Sequence, residues 1–256
     1  MNLSKEEYSS LEKLFDSRTA EFRRKGNLLF KNYYFLTKEI KDNLEYLINK
    51  PYILDSGIPI DEFFIDDSFK GVVINYFKDA VSFSKASNFS IEEKVKACND
   101  ISRQLNGLHS YGMCFNDIQC DNLLIDKVGG HLIDFDSSTF IGTTEYSCRY
   151  RLRDTDGNDV LSSVKGDLYK ALICYLSIFY NISLEKILKY NGILRVFGVS
   201  DLFENTSIAE LVNDTTIDIF SNNKELLPNM KVFLPFLLDE ERFNYDSEKI
   251  IKKVKS

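Results

Sequence analysis

Asp117, Asn122 and Asp134 are the residues whose types and spacing most directly suggest chemistry in this 256-residue chain. They lie in the segment 117–136, Asp-Ile-Gln-Cys-Asp-Asn-Leu-Leu-Ile-Asp-Lys-Val-Gly-Gly-His-Leu-Ile-Asp-Phe-Asp. A carboxylate at 117 can orient an attacking hydroxyl and accept its proton. An amide at 122 and a second carboxylate at 134 can hold Mg2+ against the oxygens of a triphosphate. Phosphoryl transfer asks for little more, because its catalysis is mostly positioning and neutralisation of charge. A lone Asp-x-x-x-x-Asn is ordinarily a solvated turn. Here an amphipathic helical pattern precedes it and Ile-Asp-Phe follows.

The elements that must position these groups follow from hydrophobic period and turn residues. Leu123-Leu124-Ile125 and His131-Leu132-Ile133 read as two short strands joined by a turn at Gly129-Gly130. That hairpin is expected to set Asn122 and Asp134 at neighbouring strand ends, facing one pocket. Upstream, residues 8–77 read as β-rich with one helix: strands over 8–15, 21–24 and 28–34, with a turn at Lys25-Gly26-Asn27. Leu36, Ile40, Leu44, Leu47 and Ile48 recur at helical spacing over 36–49, ahead of Pro51, and 70–77 is a final buried strand. Ser90 with Glu93 forms a capping-box pattern opening a helix that Gly112 stops after Tyr111. A polar stretch over 137–163 is expected to be an exposed loop. The apolar run 167–176 opens a helix that must be buried on all sides, and the remainder reads as short helices. The expected class is α+β, with a small β-rich lobe over 1–77 and a larger, mostly helical lobe over 78–256.

Composition excludes several alternatives. Hydrophobic residues make up 44% and charged residues 28%, an ordinary globular balance. A net charge of −7 argues against nucleic acid as the main partner, since phosphate backbones are bound by clustered Lys and Arg. Five cysteines without Cys-x-x-Cys spacing, and two histidines, offer no credible zinc set and fit a reducing, cytoplasmic setting. Ser4-Lys5-Glu6-Glu7 puts charge where a signal peptide needs an apolar core, and no apolar run reaches membrane-spanning length.

On these motifs the chain resembles the protein-kinase superfamily. Phe115-Asn116-Asp117 stands where that family has His-Arg-Asp, and Asp134-Phe135-Asp136 where it has Asp-Phe-Gly. The resemblance implies ATP with Mg2+ (or Mn2+) as cofactors, Asp117 as the catalytic carboxylate, and Asn122 and Asp134 as metal ligands. It makes Lys31 the lysine on the α- and β-phosphates, held by Glu45 of the following helix, with Glu39 the runner-up. It makes Asn75-Tyr76-Phe77 the hinge whose backbone pairs with adenine, with Leu124 also among the nucleotide contacts. Asp167 becomes the buried aspartate that braces the backbone around Asp117, and Asp239-Glu240-Glu241-Arg242-Phe243 the stretch with a late structural arginine. Ala-Pro-Glu has no counterpart.

The departures from the family cluster on nucleotide cradling. Phe15-Asp16-Ser17-Arg18-Thr19-Ala20-Glu21 stands where a glycine-rich loop is expected, placing Asp16 and Glu21 near the triphosphate with only Arg18 to offset them. Leu29 and Phe22 crowd the pocket roof, Gln119 replaces a phosphate-contacting Lys, Asn116 replaces an Arg that reads phosphorylation, and Asp136 replaces a Gly, where it could either supply another metal ligand or stiffen the loop. The leading expectation is Mg2+-dependent phosphoryl transfer to a Ser/Thr hydroxyl of a protein substrate, with Thr143, Thr144 and Ser147 as candidate autophosphorylation sites. Two alternatives remain open. One is a small-molecule or peptide phosphotransferase, like aminoglycoside and choline kinases or the kinase domains of lanthipeptide synthases. The other is a catalytically weak pseudokinase acting as a scaffold.

Overall fold

The computed structural model describes residues 1–48, 50–53, 55–143 and 161–180. Thr144, Ser147, the segment 239–243 and the expected C-terminal helices lie outside the described residues. Within them the architecture is α+β, a β-rich N-terminal half followed by helices and small sheets.

The first half runs β1 (Asn2–Leu3), α1 (Lys5–Ser10), β2 (Glu12–Asp16), β3 (Ala20–Lys25), β4 (Leu28–Tyr33), α2 (Lys38–Leu47), β5 (Asp61–Ile65) and β6 (Ser68–Asn75). Its strands form one sheet in the order β1-β5-β6-β4-β3-β2, with β1 parallel to β5. The expected strand over 8–15 is instead a helix followed by a shorter strand. Ser4 and Glu7 close a reciprocal capping box that starts α1, and Leu11 leaves it in an extended conformation. Tyr8 and Leu11 also fit helical spacing, and both bury against Phe30, Phe63 and Ile65. Strand β5 was not expected. It pairs with β6 through a two-residue turn at Asp66-Asp67, both at positive φ (48° and 60°), the geometry that matches the sheet's twist.

Helix α2 begins at its Thr37 cap and ends at Leu47, ahead of Pro51, which opens a 3-10 turn. On β6, Gly71 lies against β4 so closely that a Cβ there would fall 1.9 Å from the Lys31 carbonyl oxygen. The absence of a side chain at 71 therefore decides where the Lys31 backbone runs.

The second half contains β7 (Val81–Ser82), α3 (Ile91–Ser110), β8 (Met113–Cys114), β9 (Leu123–Ile125), β10 (Gly130–Leu132), β11 (Thr139–Phe140) and α4 (Val164–Tyr180). Ser90 and Glu93 form the anticipated capping box on α3, and Gly112 follows its end at φ 75°. Ala97, Cys98, Ile101, Leu105 and Leu108 are the buried stripe of α3. Gln104, also on α3, donates to the Gly130 carbonyl (2.9 Å) and accepts from Leu132 N–H (2.7 Å), pinning the β9–β10 hairpin. The stretch beginning at 137 is not wholly exposed: Ser137, Ser138 and Thr139 are buried, and β11 pairs with β8.

Candidate active site

Lys31 is 4% exposed, on the same face of β4 as Tyr33 and opposite Phe22 of β3. Its ammonium contacts Asp134 Oδ1 at 2.5 Å and Asp136 Oδ2 at 2.6 Å, residues more than a hundred positions away. The Tyr33 hydroxyl donates to the other Asp136 oxygen at 2.6 Å. Burial alone would depress the lysine, but the two carboxylates outweigh it and hold Lys31 above the ordinary lysine range. Burial pushes the Asp136 carboxyl up, and the neighbouring Asp134 carboxylate adds to this against the pull of Lys31 and Tyr33.

The expected Lys31–Glu45 pair is absent from this arrangement. Glu45 is ion-paired with Lys41, one turn back on α2, and lies against Glu62 of β5. The cause is the rotation of α2. Asn43 faces the site, donating to the Ser138 carbonyl at 3.1 Å. Two residues further on, the helix has turned roughly 200° and carries Glu45 away. The runner-up, Glu39, is exposed on the first turn of α2.

The hairpin sets Asn122 and Asp134 at neighbouring strand ends, with its turn over 126–129 and Gly130 inside β10 rather than in the turn. Ile133 N–H donates to the Asn122 carbonyl at 3.0 Å, which sets Asn122 beside the residue preceding Asp134. Asn122 spends its amide nitrogen on Asp117, 2.8 Å to the carbonyl and 3.0 Å to Oδ2, leaving the amide oxygen as the atom able to ligate a cation. Asp134 adopts a left-handed conformation (φ 71°, ψ 66°) and its side chain is 44% exposed. Phe135 turns inward, edge-on to Phe115 at 5.1 Å. Gln119 donates to Asp117 Oδ2 at 2.9 Å, so the residue in the family's lysine position orients the candidate base.

Behind this loop, Asp167 of α4 is 1% exposed and accepts from Phe115 N–H (2.6 Å) and Asn116 N–H (2.8 Å). Because a carboxylate only accepts, His109 Nε2, 3.0 Å away, carries the proton between them. Cys114 completes a cluster with His109 and Asp167 within 4.8 Å, but the Asp167 oxygens are already committed to backbone amides. Lys170 donates to the Asn116 carbonyl at 2.8 Å, and the Asn116 amide reaches Ser137 O and Thr139 Oγ1. Asn116 thus ties the loop after Asp136 with neutral hydrogen bonds.

The hinge residues are partly committed. Tyr76 N–H donates to the Asn27 carbonyl at 2.9 Å, extending the β4–β6 ladder by one bond. Asn75 donates from its side chain to Ser56 O, and the Phe77 ring stacks on His131 at 3.9 Å. His131 pairs with Leu124 across the hairpin, which places Leu124 near the same edge. The acidic residues in the place of the glycine-rich loop differ from expectation. Asp16 binds Lys13 (2.7 Å) and the Tyr34 hydroxyl (2.7 Å); Glu21 binds Arg23 (2.9 Å) and the Tyr8 hydroxyl (2.9 Å). Burial works against the Glu21 carboxylate, but Arg23 and Tyr8 keep its pKa below the ordinary value. Lys13 and Arg23, rather than Arg18, offset the acids.

No family model matches the chain. Over 101 residues it is 25% identical to KEOPS complex subunit Bud32 of Pyrococcus abyssi. The match covers 40% of this chain and 42% of that relative, so the chain spans less than half of the curated relative's length. The similarity lends loose support to a place in the kinase-like superfamily.

Of the residues expected at the site, Lys31 and Asp134 touch each other, and Asn122 touches Asp117. Glu45 stands apart. Tyr33 and Gln119 were missed as participants; Asp136, expected either to supply another metal ligand or to stiffen the loop, binds Lys31 and Tyr33. The only sequence signal for the other two was that Gln119 departs from the family pattern and that Tyr33 falls two residues beyond Lys31 on one strand. Among the described residues no helix is long and apolar enough to cross a membrane.

Proposed function

We propose that the chain transfers the terminal phosphoryl group of ATP to a Ser or Thr hydroxyl of a protein substrate. The observation that carries this reading is the 2.5 Å contact of Lys31 with Asp134, beside the Asn122–Asp117 hydrogen bond. Lys31 of β4 meets Asp134 just beyond β10, and Asn122 meets Asp117 in the loop before β9, and the four would have complementary tasks. The similarity to KEOPS complex subunit Bud32 supports the kinase-like part of the reading.

The donor set suits Mg2+ or Mn2+. An amide oxygen at Asn122 and the half-exposed carboxylate of Asp134 are hard oxygen ligands at adjoining chain ends. A cation held there would neutralise charge on the transferred group. Lys31 would bind the α- and β-phosphates. Asp117, fixed through Oδ2 by Asn122 and Gln119, would orient the acceptor hydroxyl and take its proton. Leu124 and the backbone of Asn75, Tyr76 and Phe77 would contact the base. A small-molecule acceptor is the second reading. It is favoured by Gln119, whose side chain is spent on Asp117 rather than offered as a cation to a phosphate.

The test is transfer of label from γ-labelled ATP with Mg2+ and with Mn2+. Wild type, Asp134→Ala and Asp117→Asn would be offered a generic acceptor protein, the chain itself, and aminoglycoside and choline acceptors. Label on protein, lost in both variants, is the expected result. Label only on a small molecule would select the second reading. No transfer and no nucleotide binding would overturn both.

A further inference from the structure

Asp136 is used by nothing in the scheme above, yet both its oxygens are engaged at 2.6 Å, one by Lys31 and one by Tyr33. It stands on the 3-10 turn Phe135–Ser137, directly after the candidate metal ligand Asp134 and its buried neighbour Phe135. Helix α2, the element that should supply a carboxylate to Lys31, presents Asn43 toward this turn instead. Its Glu45 is held on the far side by Lys41, whose ammonium also lies 4.7 Å from the Phe69 ring centroid.

We propose that Asp136 is the positioning residue for Lys31, doing from the 135–137 turn what the family resemblance assigns to a glutamate of α2. The proposal rests on the phosphoryl-transfer reading. A cation on Asp134 would compete with Lys31 for that carboxylate, and Asp136 would keep the ammonium in place while Tyr33 fixes Asp136 from behind. Lys31 would then be held by the same turn that carries the metal ligand, independently of the orientation of α2.

Two double-mutant cycles on reversible urea unfolding test the pairing without nucleotide. In the first, Lys31→Met and Asp136→Asn should be non-multiplicative in the unfolding constant by about tenfold, a value in the range for contacting buried charges. In the second, Lys31→Met with Glu45→Gln should be multiplicative within about twofold. Should Lys31→Met not refold, Lys31→Gln, which also removes the charge, replaces it in both cycles. A separate calorimetric titration uses a non-hydrolysable ATP analogue with Mg2+. There Asp136→Asn should weaken binding about tenfold in the wild-type background and have no further effect in Lys31→Met. Nucleotide binding without Lys31–Asp136 coupling, or stronger coupling to Glu45, would overturn the role of Asp136 and leave phosphoryl transfer standing. Coupling without nucleotide binding by the wild type would overturn phosphoryl transfer, and with it any role in placing Lys31 on phosphate.

Discussion

Asp167→Asn isolates how a single buried carboxylate holds the candidate catalytic loop. The wild-type side chain is 1% exposed and accepts from two backbone amides, Phe115 N–H at 2.6 Å and Asn116 N–H at 2.8 Å, with His109 as a third donor. The amide keeps one acceptor oxygen, so one of the two backbone bonds survives but loses its charge assistance, at a cost of about 1 kcal/mol. Its NH2 group must then face a donor. Whichever way it flips, one buried N–H loses its partner, which costs about 1–3 kcal/mol. The sum, about 2–4 kcal/mol, is a large part of the roughly 5–15 kcal/mol that stabilises a typical protein. Urea unfolding should show a lower midpoint at unchanged slope, and the thermal midpoint should fall by roughly 5–15 °C. A loss under about 1 kcal/mol at unchanged slope would show that the carboxylate does not hold the loop in this way.

Glu62→Gln should stabilise the protein at neutral pH. Glu62 Oε1 is buried without a hydrogen-bond partner, and burial followed by the neighbouring Glu45 raises its pKa above the ordinary 4.5. A raised carboxyl binds more protons in the folded state, so its contribution to stability falls as pH rises through the window from the ordinary to the raised value. The gain from Glu62→Gln should therefore be about 0.5 kcal/mol at pH 7 and vanish below about pH 4, where Glu62 is protonated folded or unfolded; equal effects at both pH values would contradict it. Gly71→Ala should cost about 1–3 kcal/mol in urea unfolding, because the new Cβ meets the Lys31 backbone rather than a movable side chain. Gln119→Leu should lower label transfer about ten- to a hundredfold by loosening Asp117, with the thermal midpoint little changed. An unchanged rate would remove Gln119 from the site.

The hairpin carrying Asn122 and Asp134, the capping box of α3 and the helical stripe of α2 were legible because each is written in local spacing. The hairpin is there, although its turn lies over 126–129 and Gly130 opens β10 opposite Ile125; Ser90 and Glu93 are three apart, and Leu44 and Leu47 fall on one buried face. The aspartate brace at 167 was legible through family resemblance, and the structure places its carboxylate on the backbone next to Asp117. Residues 8–15 were misread as one strand: Tyr8 and Leu11 stand three apart, which is helical rather than strand spacing, and the Ser4–Glu7 cap starts a helix there.

The sequence by itself determined which chemical groups are available and which short elements carry them. What only the tertiary structure decided is which groups meet. Whether Glu45 faces Lys31 depends on the rotation of α2 about its axis, set by burial of Asn43, Leu44 and Leu47 and by the Lys41 pair, whereas Asp136 reaches Lys31 from the 135–137 turn. Whether Asp16 and Glu21 repel a triphosphate depends on Lys13 and Arg23, each on its partner's own strand, and on the Tyr34 and Tyr8 hydroxyls, which reach them from the end of β4 and from α1. Spacing along the chain specifies neighbours within one element. An ion pair between residues 31 and 136 depends on packing between elements, which spacing within either one does not specify.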